Sequence, residues 1–228
     1  MNKNTHRLVY SRLRGMVVAV AETAEGKSAT GEARAQRRSS TSGARVVVAG
    51  AAALGMLPTL SGAQIIPTPG TSTQVIQTPN GLPQVNVAKP SGAGVSVNTY
   101  NEFDVQRAGA ILNNSATMVQ TQQAGWINGN PNYGAGQAAR IIVNQVNSPN
   151  PSQIHGALEI AGARAELVIA NPSGIFVDGG TFLNTSRATL TTGVPFYGAD
   201  GSLAGYNVNR GLVTVSGAGL NATGTDQV

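Results

Sequence analysis

Between residues 158 and 183 the chain repeats one pattern, a short apolar or β-branched run followed by a corner of Gly, Asn or Pro. The runs are Leu158-Glu159-Ile160, Glu166-Leu167-Val168-Ile169-Ala170, Gly174-Ile175-Phe176-Val177 and Thr181-Phe182-Leu183. Their centres lie about seven to nine residues apart, so three strands consume roughly 20 to 25 residues, the period of a solenoid coil. Further runs of this kind are Val85-Asn86-Val87, Val95-Ser96-Val97, Phe103-Asp104-Val105, Ile141 to Val146 and Leu212 to Val215. No segment carries a helical stripe of apolar positions at i, i+3, i+4 and i+7. A β-sandwich also has short strands at this spacing, but it needs hairpins, and two-residue Asn-Gly turns between alternating runs are scarce. Asn80-Gly81 precedes Pro83, and Asn128-Gly129 leads into Asn130-Pro131. The pattern predicts an all-β chain folded as a right-handed parallel β-helix. The Pro-, Thr- and Gln-rich stretch 64–83 would enter and cap the first coil, because the edges of a stacked sheet are otherwise open.

Composition agrees with stacking. The chain has 228 residues, of which 29 are Gly and only 25 are charged, with 15 Lys+Arg and 10 Asp+Glu. That argues against a charged helical bundle and a disordered polyelectrolyte. Cysteine is absent, which removes disulfide scaffolds and thiol or cysteine-metal chemistry. From residue 64 onward Asn occurs 17 times and Lys89 is the lone lysine. Amides at equivalent positions of successive coils can bond to one another, whereas stacked like charges repel.

The net charge of +5 would suggest an anionic partner, but it sits in the wrong place. Residues 1–50 hold nine basic groups and three acids; the rest hold six and seven. Nucleic-acid binding therefore has no support in the body of the chain. The basic stretch leads into Val46 to Leu57, a run too short for a stable span, then Pro58 and Ser61-Gly62-Ala63-Gln64. This is a secretory signal with cleavage expected between Ala63 and Gln64. Residues 1–63 are read as a helical or disordered signal region and 64–228 as the mature domain. Gly26-Lys27-Ser28 mimics the end of a phosphate loop but lacks the required earlier Gly, since position 21 is Ala21.

Two sets of motifs carry a resemblance. Asn2-Lys3, His6 to Arg12 and Gly15 to Glu22 resemble the extended signal-peptide region of very large surface proteins of Gram-negative bacteria. In the mature part, Ile111-Leu112-Asn113-Asn114-Ser115, Gln123 to Ile127, Asn130-Pro131-Asn132-Tyr133, Ala139 to Val146, Pro151 to Gly156, Ala165 to Pro172 and Asn184 to Gly193 closely resemble the secretion domain of two-partner secretion exoproteins. These are the filamentous haemagglutinin adhesins and contact-dependent growth-inhibition toxins. The resemblance implies a pectin-lyase-like β-helix that directs export through a dedicated outer-membrane β-barrel transporter. The inner-membrane export machinery would take the signal, and periplasmic domains of the transporter would bind the secretion domain. Secretion to the surface of a Gram-negative cell, where a host or neighbouring cell could be met, would follow. Threading of an unfolded chain suits a sequence without disulfides and with few charges, and coils folding outside would oppose backsliding.

The family's Asn-Pro-Asn-Leu stands here as Asn130-Pro131-Asn132-Tyr133, and its Asn-Pro-Asn-Gly-Ile as Asn171-Pro172-Ser173-Gly174-Ile175. A cysteine pair that some members carry after the second motif is absent from Val177-Asp178-Gly179-Gly180. These residues either contact the transporter or form turns that close coils, and both can hold, because Asn-Pro fixes one φ and lets an amide satisfy corner backbone groups. The chain stops at Asp226-Gln227-Val228 without a closing cap, and is expected to be a fragment or truncated product of a longer protein.

Other chemistry finds little support. The mature acids are scattered, and Glu102 and Asp104 would share a solvated strand face. His155, the single mature histidine, is expected at an exposed corner, and Trp126 is expected to anchor the core. Asn113, Asn184 and Asn221 fit the glycosylation pattern, which arises by chance in an Asn- and Thr-rich chain. No catalytic residue, metal ligand or cofactor is expected. The second reading is that the segment is itself a glycan- or matrix-binding adhesin; the third is a polysaccharide-cleaving enzyme.

Overall fold

The computed structural model describes residues 6–11, 16–21 and 65–228. The chain divides into two compact units, Met1–Gly55 and Met56–Val228. In the first, β1 (His6–Ser11) and β2 (Met16–Ala21) pair antiparallel, with His6 opposite Ala21. A helical or disordered leader was the expectation there; β-branched Val17, Val18 and Val20 favour the extended state instead. The remainder of that expectation, and the Ala63/Gln64 cleavage site, lie outside the described residues.

The second unit is a parallel β-helix. Its first sheet runs from β3 (Ile65–Pro67) through β6 (Val95–Phe103), β10 (Ile141–Val146), β13 (Ala165–Ala170) and β16 (Thr185–Thr191) to β21 (Thr225–Gln227). The second runs from β4 (Gln74–Gln77) through β5 (Pro83–Asn86), β7 (Ala110–Asn114), β12 (Ala157–Gly162) and β15 (Gly180–Leu183) to β20 (Leu220–Asn221). A third, narrow sheet stacks β11 (Ser152–Ile154), β14 (Ile175–Val177) and β19 (Val213–Val215). From β10 onward each coil visits the first, third and second sheets in turn. Ala165 lies beside Thr185 and Ile141 beside Glu166, so an uninterrupted coil takes 20 to 25 residues.

β3 and β4 pair antiparallel with β6 and β5, which covers the N-terminal edges and makes the expected cap. The β4–β5 hairpin turns at Asn80-Gly81, with Gly81 at φ +83° and its amide donating to the Thr78 carbonyl at 2.9 Å. Pro83 does not prevent this hairpin, because it is the first residue of its strand.

Side chains from the three sheets meet in one apolar core built from Val85, Leu112, Ile142, Ile154, Leu158, Leu167, Ile169, Val177 and Phe182, with the Tyr100 and Phe103 rings in tilted contact, centroids 4.9 Å apart. Buried amides form part of the stack. Asn113 donates to the Oδ1 of its register partner Asn86 at 3.0 Å. Asn98 and Asn144, also register partners, each donate forward to a carbonyl of the next coil, Val143 and Val168, both at 3.3 Å.

Two hairpins leave the solenoid and cover its outer faces. β8 (Val119–Thr121) with β9 (Gly125–Ile127) lays Ile127 and Val119 on Ile111 and Ala161. β17 (Val194–Tyr197) with β18 (Leu203–Asn207) lays Tyr197, Leu203 and Tyr206 on Val95, Val143 and Val168. Trp126 does not anchor the core, contrary to the expectation from its residue type. Alternation along β9 turns Ile127 inward and leaves Trp126 61% exposed. The core aromatics are Tyr100, Phe103, Tyr133 and Phe182.

Candidate functional site

The two Asn-Pro motifs fold alike. Asn130 Oδ1 accepts from the Asn132 amide at 2.9 Å, and the Asn130 carbonyl accepts from the Tyr133 amide at 3.1 Å. Asn171 Oδ1 accepts from the Ser173 amide at 2.9 Å, and its carbonyl accepts from the Gly174 amide at 3.0 Å. Each is an Asx-turn nested in a β-turn, a conformation Pro favours at its second position.

The amide nitrogens tie each turn to other parts of the chain. Asn130 Nδ2 donates to the Val87 and Asn113 carbonyls at 2.8 and 2.9 Å, binding the loop after β9 to the first coil. Asn132 Nδ2 reaches the Ser72 carbonyl in the cap at 2.9 Å. Asn171 Nδ2 donates to the Asn150 carbonyl and to Ser152 Oγ, both at 3.0 Å, and Ser173 Oγ to the Ser148 carbonyl at 2.9 Å. Asn130 and Asn171 are 2% and 0% exposed. The structure thus places the two motifs in separate turns that each join neighbouring coils. Gly174 has φ +120°, a value that disfavours any side chain, and Ile175 enters the core from β14.

Both departures from the family pattern are accommodated. The Tyr133 hydroxyl donates to Asn114 Oδ1 at 2.8 Å, and burial pushes its phenol well above the ordinary range. Asn114 Oδ1 also accepts from the Ala139 amide at 2.7 Å, while its Nδ2 donates to the Ala139 and Ala163 carbonyls. Ser173, in the place of the usual Asn, keeps a bond to Ser148.

The titratable residues do not converge. Asp104 is half-buried, its Oδ1 accepting from the Gln153 amide at 2.8 Å, and burial raises its pKa. It is a tie between coils, not one of a solvated pair with Glu102. His155 is half-buried at the turn between β11 and β12, its ring 6.0 Å from that of Phe176. Glu159, 3% exposed, was singled out by no sequence motif. Its two oxygens accept from the amides of Gln122 and Gln123 at 2.7 and 3.0 Å, which fixes the tip of the β8–β9 hairpin. Among the described residues no group of three His, Cys, Asp or Glu is placed to hold a metal ion.

The architecture is a capped parallel solenoid with two hairpins laid on its outer faces and amide-locked corners. Residues 63–228 match the family described as the TPS secretion domain, and residues 1–58 match the extended signal peptide of the type V secretion system. The chain belongs to the two-partner secretion exoproteins, and residues 63–228 are their secretion-targeting domain.

It is 52% identical to the tRNA nuclease CdiA-2 of Burkholderia pseudomallei over all of this chain and 8% of that protein. It is 42% identical to the toxin CdiA of Yersinia pestis over 99% of this chain and 7% of the relative. With the filamentous hemagglutinin of Bordetella pertussis it shares 39% identity over 98% of this chain and 6% of the other. The chain therefore spans less than a tenth of these relatives' length. A crystal structure of a filamentous hemagglutinin secretion domain, 40% identical, superposes with a TM-score of 0.65 over 71% of this chain and 52% of that one. Two-partner secretion proteins with an extended signal peptide are exported through the periplasm to the surface of Gram-negative cells.

Proposed function

We propose that residues 1–63 are the removed signal and residues 64–228 the mature secretion domain, and that periplasmic domains of the transporter read the Asn130 and Asn171 motifs before the chain folds. The burial of both asparagines supports this order of events. Once the turns close, their amides are committed to Val87, Asn113, Asn150 and Ser152 and present nothing to a partner. Only an unfolded or partly folded chain offers Asn-Pro to another protein. After threading, the same residues close the turns, and each completed coil opposes return. The segment acts as an address and a folding start, without catalytic residues, cofactor or nucleic-acid partner of its own.

The test is surface delivery from cells that coexpress the barrel transporter. Asn130→Ala with Asn171→Ala should hold the protein in the periplasm. Leu167→Ala, which weakens the fold but leaves both motifs intact, should still be exported. Undiminished delivery of the double variant would remove the targeting role, and equal retention of Leu167→Ala would assign the effect to folding alone.

A further inference from the structure

Trp126 is the only tryptophan in the chain, and it stands 61% exposed on a hairpin whose tip is pinned by the buried Glu159 carboxylate. Beside it, between the cap hairpin β4–β5 and the loop after β9, lies a groove of about 460 Å³. Its walls are Ile76, itself 46% exposed, Gln77, Gln84, Pro79 and Asn128. Among the described residues no charged side chain lines it. The Gln84 amide is buried and held by donation from Nε2 to Asn86 Oδ1 at 2.9 Å, while Gln77 and Asn128 are exposed amides flanking the indole.

We infer that this groove is a binding site for a neutral oligosaccharide. An indole face packs well against the C–H face of a pyranose ring, a contact that a large, stiff aromatic makes at low conformational cost. Side-chain amides offer a donor and an acceptor on one plane, which matches the vicinal hydroxyls of a sugar. A few convergent polar groups around an apolar platform are the usual make-up of a small-ligand site. The lack of charge in the walls selects against acidic saccharides, which need Lys or Arg. The aromatic platform is rigid: Ile127, next in the chain, is buried against Ile111 and Ala161, and the turn is tied to Glu159. An extended peptide would also find an indole and a Pro here. The groove favours sugar, because the polar groups of its walls include the side-chain amides of Gln77, Gln84 and Asn128. The inference is independent of the transporter reading.

The lone tryptophan makes the site its own reporter. The 228-residue chain would be titrated with lactose, cellotriose, maltotriose and diacetylchitobiose while its emission is followed. At least one should produce a saturable shift at millimolar concentration or below. Gln77→Ala with Asn128→Ala should weaken that sugar tenfold or more with the melting temperature unchanged, and Trp126→Ala, followed by calorimetry, should abolish binding. The assignment is overturned if none of the four sugars shifts the emission. It is equally overturned if only a proline-rich peptide does so, or if the Trp126→Ala chain binds the sugar as well as before.

Discussion

At the scale of single residues, the buried asparagines do the work that charged pairs do in other domains. Asn171 satisfies two acceptors and one backbone amide at a position with no access to water. Replacing it with Ala strands those partners, and each stranded buried group costs about 1–3 kcal/mol. Asn171→Ala should therefore lower unfolding free energy by about 2–4 kcal/mol in a urea titration. Tyr133→Phe should cost only about 1 kcal/mol, because Asn114 Oδ1 keeps its bond from the Ala139 amide. The tyrosines also set an alkaline limit. Burial, and secondarily Tyr206, push Tyr197 up to about 12, and burial raises Tyr100 and Tyr133 as well. A phenol that holds its proton longer when folded contributes fully below the unfolded value near 10, and that contribution drains away as pH climbs through the folded one. Stability should fall between about pH 10 and pH 12, and Tyr197→Phe should flatten the fall in a series of thermal melts.

At the scale of elements, the coil strands were easier to read than the hairpins laid over them. The runs Ile141–Val146 and Glu166–Ala170 coincide with β10 and β13 to within one residue, because each holds alternating core side chains between Gly and Asn corners. β16 escaped notice as a strand, since Thr185 to Thr191 contains Ser, Thr and Arg and gains its pairing from β13. The β8–β9 hairpin buries only Ile127 and Thr121 and gives almost no apolar signal. Its attachment depends on Glu159, whose sequence neighbours are all apolar or small and give no hint of a partner some 36 residues earlier in the chain. Glu159→Ala should release the hairpin tip while leaving the coils stacked. Amide exchange at Gln122 and Gln123 should accelerate at least tenfold, with exchange in β10 and β13 unchanged. Trp126 shows why residue type alone misleads: position on an alternating strand decided its side, and the strand itself was not visible.

At the scale of the whole molecule, the sequence period and the structural coil agree because stacking demands it: register partners 20 to 25 residues apart share an environment. The insertions carrying the two hairpins break that period on either side of the 141–191 stretch, and so only the middle of the domain shows it plainly. Close stacking also leaves no room at the corners. A Cβ at Gly156 would run into the Gln106 backbone carbonyl of the preceding coil. The proposed route through a transporter requires the stack to form late. Gln153 and Phe176 are register partners on adjacent coils, so a disulfide in a Gln153→Cys, Phe176→Cys variant would hold those coils together and keep the chain from being drawn out. Oxidation in the periplasm should halt export of that variant, and a reductant should restore it, as measured by protease accessibility on intact cells. The antiparallel cap has a further effect once many copies crowd one cell surface. β3 and β4 run against the grain of every other rung. The N-terminal end of one copy therefore offers no parallel ladder on which a rung of another chain could be added.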